Sequence, residues 1–172
     1  MDQLVLTVLA QDKAGHVERI ANCVAEHHGN WLESRMARMA GQFAGILRVD
    51  VPAVNRAELV DALQQLSTHG IRVLVEQSSS AQSEVLKRVI LSVTANDRPG
   101  IVRDISRVLA AQGVNVERLS TDASPAPMTN ELLFTAEAQL AVPETVNLDA
   151  LQESLEALAD ELMVDLKLRP EP

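Results

Sequence analysis

Residues 4–10, LVLTVLA, form a nearly unbroken apolar run, β-branched enough to read as a central strand covered on one or both faces. A turn holding Gly15 follows, and then Val17, Ile20, Ala21 and Val24 recur at helical spacing. That helix should stop near Gly29, where a left-handed terminal glycine is expected. Trp31 to Ala37 and Phe43 to Val51 read as two strands joined around Ala40-Gly41-Gln42, a hairpin. Leu59, Ala62, Leu63 and Leu66 mark a second helical stripe, and Ile71 to Val75 a closing strand. The order is βαββαβ.

The pattern occurs twice. Residues 4–17, LVLTVLAQDKAGHV, align without a gap on residues 89–102, VILSVTANDRPGIV, at an offset of 85. The same offset pairs Ile20 with Ile105 and Asn30 with Asn115. Val51-Pro52 meets Val142-Pro143 at an offset of 91, so the second copy carries 6 extra residues, placed around Ser124-Pro125-Ala126-Pro127. Its first helix should end near Gly113. Phe134, Ala136, Ala138, Leu140 and Val142 alternate on one strand face. Leu148, Leu151, Leu155 and Leu158 form its second helical stripe, and Leu162 to Leu168 its last strand. Two βαββαβ units predict an α+β chain of two ferredoxin-like modules, each an antiparallel four-stranded sheet with two helices on one face. The expected division is a first domain over 1–77, a Ser-rich linker over 78–84 and a second domain over 85–172. Each module leaves one sheet face bare, and pairing of the two copies or of two chains would cover it, so a homodimer is among the expectations.

Charge and composition narrow the function. Lys and Arg number 15 against 24 Asp and Glu, a net charge of −9 that repels phosphate backbones and anionic membranes. The basic residues are scattered, and no helix-turn-helix signature or basic helix is present. With Trp31, Phe43 and Phe134 as the whole aromatic set, stacking on bases has little to work with. Direct binding to nucleic acid or membrane is therefore not expected. The lone Cys23 excludes an internal disulfide and fits a reducing compartment; it should be a buried structural thiol. The start lacks a basic leader and no apolar run reaches a membrane span, so a cytoplasmic location is expected. No phosphate-binding glycine loop, metal-binding His pair or nucleophile elbow is present, and the expectation is a non-enzyme without cofactor or metal. His27-His28 and His69 read as helix-end residues favoured by the dipole, and His16 as a solvated side chain. Glu33, Arg35 and Arg38 read as a solvated or edge charge pattern.

The candidate chemistry lies before the first helix of each copy. Asp97-Arg98-Pro99-Gly100 places a proline where a helix takes its first residue, and Gly100 allows close approach to helix N-terminal amides, which suit a carboxylate. Asp12-Lys13-Ala14-Gly15 keeps the aspartate and glycine but not the proline. Each aspartate also fits a plain helix cap. Asn30 and Asn115, where helix hands over to strand, offer an acceptor and two donors to a zwitterion, although Asn also suits a left-handed turn. Both elements recur 18 residues apart in both copies.

These residues, above all the DRPGIV loop and the Gly-Val-Asn-Val turn, resemble the ACT domain, a module that binds small amino acids and regulates metabolic enzymes. Two such modules with no catalytic domain between them are similar to the family of glycine cleavage transcriptional repressors. The resemblance implies ligand contacts from Asp12, Ala14, Gly15 and Asn30, and from Asp97, Pro99, Gly100 and Asn115, at domain interfaces, with glycine or serine as first choices. It further implies an amino-acid-sensing accessory repressor whose partner is a DNA-binding transcriptional activator. The alternative is a regulatory amino-acid-binding subunit of a metabolic enzyme.

Overall fold

A computed structural model describes residues 1–79 and 86–172 and divides into two compact units, Met1–Ala81 and Gln82–Pro172. Most of the linker read from the sequence, 80–84, lies outside the described residues. The first unit runs β1 (Asp2–Gln11), α1 (His16–Glu26), β2 (Asn30–Met39), β3 (Gln42–Val51), α2 (Arg56–Gln65) and β4 (Ile71–Gln77). The second repeats it as β5 (Leu86–Asn96), α3 (Ile101–Ala111), β6 (Asn115–Pro125), β7 (Leu132–Pro143), α4 (Leu148–Leu162) and β8 (Asp165–Pro170). The sheets have matching strand orders, β2-β3-β1-β4 and β6-β7-β5-β8, and every pairing is antiparallel.

Period-two burial explains the layering. Leu4, Leu6, Val8 and Ala10 of β1 point to one face and are buried with Ile20, Val24, Leu59 and Leu63 of the helices. In the second unit Val89, Leu91, Val93 and Ala95 meet Ile101, Ile105, Leu109, Leu151 and Leu155 in the same way. The intervening residues of each central strand face away from the helices. Met39 and Gln42 close the first hairpin across Ala40 (φ 48°) and Gly41 (φ 80°), the two left-handed residues of a tight hairpin turn. In the second unit the corresponding connection is longer, and Ala126 N–H donates to the Glu131 carbonyl at 2.9 Å across it.

Several local expectations change. The left-handed residue after α1 is His28 (φ 60°), not Gly29; a Cβ at Gly29 would instead lie 2.8 Å from Val24 Cγ1, so that glycine is there for close packing. The matching position after α3 is Gly113 (φ 72°). Helix α4 includes Leu162, which extends the Leu151, Leu155, Leu158 stripe by one more turn, and the last strand therefore begins at Asp165 rather than Leu162. Pro99 is not the first helical residue. Gly100 caps α3 at φ 93°, a left-handed conformation that interrupts the helix before it starts at Ile101.

Candidate functional site

The two pre-helix loops share a backbone and differ in what surrounds it. Gly15 and Gly100 both cap their helices with positive φ, 98° and 93°, and neither cap carries a side-chain hydrogen bond. Asp12 does not cap α1: its Oδ2 accepts from Arg38 Nη1 at 3.1 Å, an exposed ion pair that ties the loop to the end of β2. Asp97 is anchored by its backbone, whose N–H donates to Leu132 O at 2.9 Å. The first intrahelical bonds are Arg19 N to Gly15 O and Asp104 N to Gly100 O, so the amides of residues 16–18 and 101–103 precede the helical ladder. Nothing lies within 4 Å of a Cβ placed on Gly15, whereas one on Gly100 would meet the Arg103 guanidinium at 2.8 Å. Ala14 and Pro99 are exposed in their turns.

His16 is buried rather than solvated. Its Nε2 lies 2.7 Å from the Gln11 carbonyl and its ring centroid 5.9 Å from that of Phe43, so the ring plugs the top of the first core. The second unit places Ile101 there. Beside the first loop an open cleft of about 840 Å³ is lined by Asp12, Lys13, His16, Gln42, His69 and Arg72. In the second unit Arg98, at the Lys13 position, donates to Leu162 O at 2.7 Å and ties the loop to the end of α4.

Loop and asparagine are not neighbours within one unit. Asn30 pairs with Asp50, which pairs with Gln3 at the start of β1, while Asp12 follows Gln11 at its end. Asn115 pairs with Ala141 and thence Arg88, while Asp97 follows Asn96. At about 3.3 Å per residue the two elements stand roughly 30 Å apart, at opposite ends of each sheet. The 18-residue recurrence reflects one helix running back along the sheet. Asn30 and Asn115 are exposed.

Asp50, which sequence reasoning passed over, stands opposite Asn30, and its Oδ1 is buried without a hydrogen-bond partner among the described residues. Its signal in the sequence was a carboxylate immediately before Val51-Pro52, where the second copy has Ala141 before Val142-Pro143. Among the described residues no group of three or more His, Cys, Asp and Glu could hold a metal, and no helix is long and apolar enough to cross a membrane.

Comparison with known proteins agrees with the fold of both units. No curated protein matches the chain. A solved structure of an unknown protein from Galdieria sulphuraria is 26% identical, covering 99% of both chains with a TM-score of 0.84. The crystal structure of a candidate glycine cleavage system transcriptional repressor is 20% identical over 98% of this chain and 96% of its own, TM-score 0.72, a likeness of fold. ACT-domain models match residues 2–76 and 89–160. The chain belongs to the ACT-domain family, as a tandem pair of these regulatory modules.

Proposed function

We propose that the protein senses a small amino acid and acts as an accessory repressor of glycine cleavage genes through a partner protein. The observation that carries the sensing role is Asp50: a carboxylate oxygen buried without a partner, beside the exposed amide of Asn30, is an acceptor suited to an ammonium group. Leaving such an acceptor unmet costs about 1–3 kcal/mol, which a bound amine would recover. The ligand's carboxylate goes to the helix N-terminal amides behind Asp12-Lys13-Ala14-Gly15 or Asp97-Arg98-Pro99-Gly100. Because loop and asparagine stand at opposite ends of one sheet, the two cannot hold one small ligand within a single module.

Action through a partner follows from the charge. Lys and Arg number 15 against 24 Asp and Glu, a net charge of −9 that repels phosphates, and Arg38, Arg48, Arg56, Arg88, Arg103 and Arg169 are each ion-paired to a carboxylate. The likeness to the candidate repressor suggests the DNA-binding activator of a glycine-catabolism operon as that partner. Calorimetry with glycine and with serine tests the sensing role: Asn30→Ala and Asn115→Ala should each weaken binding several-fold, and unchanged affinity in both rejects the site. In gel shifts at low salt the protein alone should give no specific complex with that operator. Adding the activator should give a ligand-sensitive supershift, and a tight specific shift by the protein alone overturns the mechanism.

A further inference from the structure

The helix-free faces of the two sheets have opposite character. On the first sheet the central positions are Val5, Thr7 and Leu9 of β1, Ala44, Ile46 and Arg48 of β3 and Leu74 of β4, with Leu9 36%, Ile46 55% and Leu74 59% exposed. The matching positions of the second sheet are Ile90, Ser92 and Thr94 of β5, Thr135, Glu137 and Gln139 of β7 and Lys167 of β8. Leu9, Ile46 and Leu74 thus correspond to Thr94, Glu137 and Lys167. One face is built for water and the other is not. An exposed apolar patch bounded by charge marks an interface.

We infer that a second copy of this chain covers the first face, stacked sheet on sheet about a two-fold axis perpendicular to the strands. The strand register selects both the occupant and the axis. On β4, Arg72, Leu74 and Glu76 share this face, opposite Leu9, Thr7 and Val5 of β1. An axis through the Ile46–Thr7–Leu74 row reverses the rows and keeps the columns. Ile46, Thr7 and Leu74 then meet their own copies, Val5 meets Leu9 of the partner subunit, and Glu76 meets Arg72 of the partner subunit, twice by symmetry. Arg72 and Glu76 have no ion-pair partner of their own among the described residues. An axis parallel to the strands would instead lay Glu33 of β2 against Glu76 of the partner subunit, a like-charge contact. The chosen axis keeps one like-charge contact, Arg35 with its own copy on the edge strand β2, against two Arg72–Glu76 pairs on the opposite edge. Strands about 4.8 Å apart, with five alternating rows on β1, β2 and β3 and three on β4, give about 1,100 Å² of buried surface in total, above the roughly 1,000 Å² that a specific interface should clear.

The same operation lays Asn30 and Asp50 over Met39 and Gln42 of the partner subunit, beside that subunit's pre-helix loop. Resting on the amino-acid reading above, this supplies the loop and the asparagine of one site from two chains.

Sedimentation of the ligand-free full chain tests the dimer without reference to any ligand. The protein should sediment as a dimer in the micromolar range. Ile46→Glu and Leu74→Lys install residues the second sheet already carries at those positions; each should weaken the dimer about tenfold or more while leaving the circular dichroism of the fold unchanged. Arg72→Glu should weaken it too, and Arg72→Glu with Glu76→Arg should restore it. A monomer throughout the range, a dimer indifferent to Leu74→Lys, or a charge swap that fails to restore association overturns the inference. If the dimer stands but calorimetry detects no amino acid, the sensing role fails and the interface does not.

Discussion

The two units carry one core and two different peripheries. Leu6 and Leu91, Val8 and Val93, Ile20 and Ile105, Leu59 and Leu151 occupy equivalent buried positions, so duplication has left the packing between sheet and helices intact. Around it, His16 stands where Ile101 does, Lys13 where Arg98 does, and Asp50 where Ala141 does. The loop motif is more complete in the second unit, yet the buried side-chain oxygen left without a partner among the described residues, Asp50 Oδ1, lies in the first. Residues that hold a backbone turn and residues that hold a ligand need not diverge together, because the turn needs only Gly15 or Gly100 at positive φ.

The largest way to break this contrast is therefore at Asp50. Asp50→Asn keeps shape and removes charge, and should weaken binding of glycine or serine by about 1.5–3 kcal/mol, roughly ten- to a hundredfold. Asn115→Ala, in the unit without the carboxylate, should cost less. Calorimetry on both reads the difference, and equal losses would mean the two units contribute alike.

Gly45 offers the next largest effect. It pairs with Met36, and a Cβ there would lie 2.5 Å from the Arg35 carbonyl and 2.5 Å from Met36 Cγ. The equivalent Ala136 sits opposite the shorter Thr121. Gly45→Ala should destabilise by about 1–3 kcal/mol through overpacking, whereas Ala136→Gly should cost only about 0.5–1 kcal/mol in backbone entropy. Urea unfolding that finds the two alike would show that β2 and β3 yield readily.

Positions like these mark where the sequence stopped being legible. Apolar periodicity located the elements of the first unit and β7 and α4 of the second, because burial on one face imposes a period of two or 3.6 on any chain, whereas β6, exposed along its whole length, was readable only through the repeat. It misplaced the Leu162 boundary because a leucine stripe continues the helix at the same spacing that could open a strand. It missed the burial of His16 because nothing local shows that Phe43, on another strand, completes the pocket. The separation of Asp12 from Asn30 is a property of helix direction, invisible in a count of 18 residues, although the βαββαβ order implied it. Asp50 was readable only as a difference between the copies.

Helix caps give a finer comparison. Asn147 Oδ1 accepts from Asp149 N at 2.9 Å and Ala150 N at 3.4 Å at the start of α4. Asn55, at the start of α2, has a helical backbone and makes no side-chain cap bond. Asn147→Ala should cost about 1 kcal/mol in urea unfolding and Asn55→Ala only about a few tenths. Equal costs would place the stabilising role elsewhere in the two residues.

The smallest expected difference concerns Cys23, whose counterpart in the second unit is Val108. Burial holds the Cys23 thiol above its ordinary value of 9.0, and the charge of Glu26 pushes the same way. Below that value folded and unfolded chains both keep the proton, and the thiol adds no pH dependence. As pH rises through it the unfolded chain releases the proton while the folded chain retains it, so stability falls, by at most about 1.4 kcal/mol per pH unit, until the folded thiol ionises in turn. Cys23→Val copies the second unit and removes only the thiol, so every other contribution cancels when variant and parent are compared. Urea unfolding at about pH 8 and about pH 10 should show a smaller loss of stability for the variant. The same loss in both proteins would mean that the thiol reaches water in the folded state, and that the first core is less tightly closed at α1 than the second is at α3.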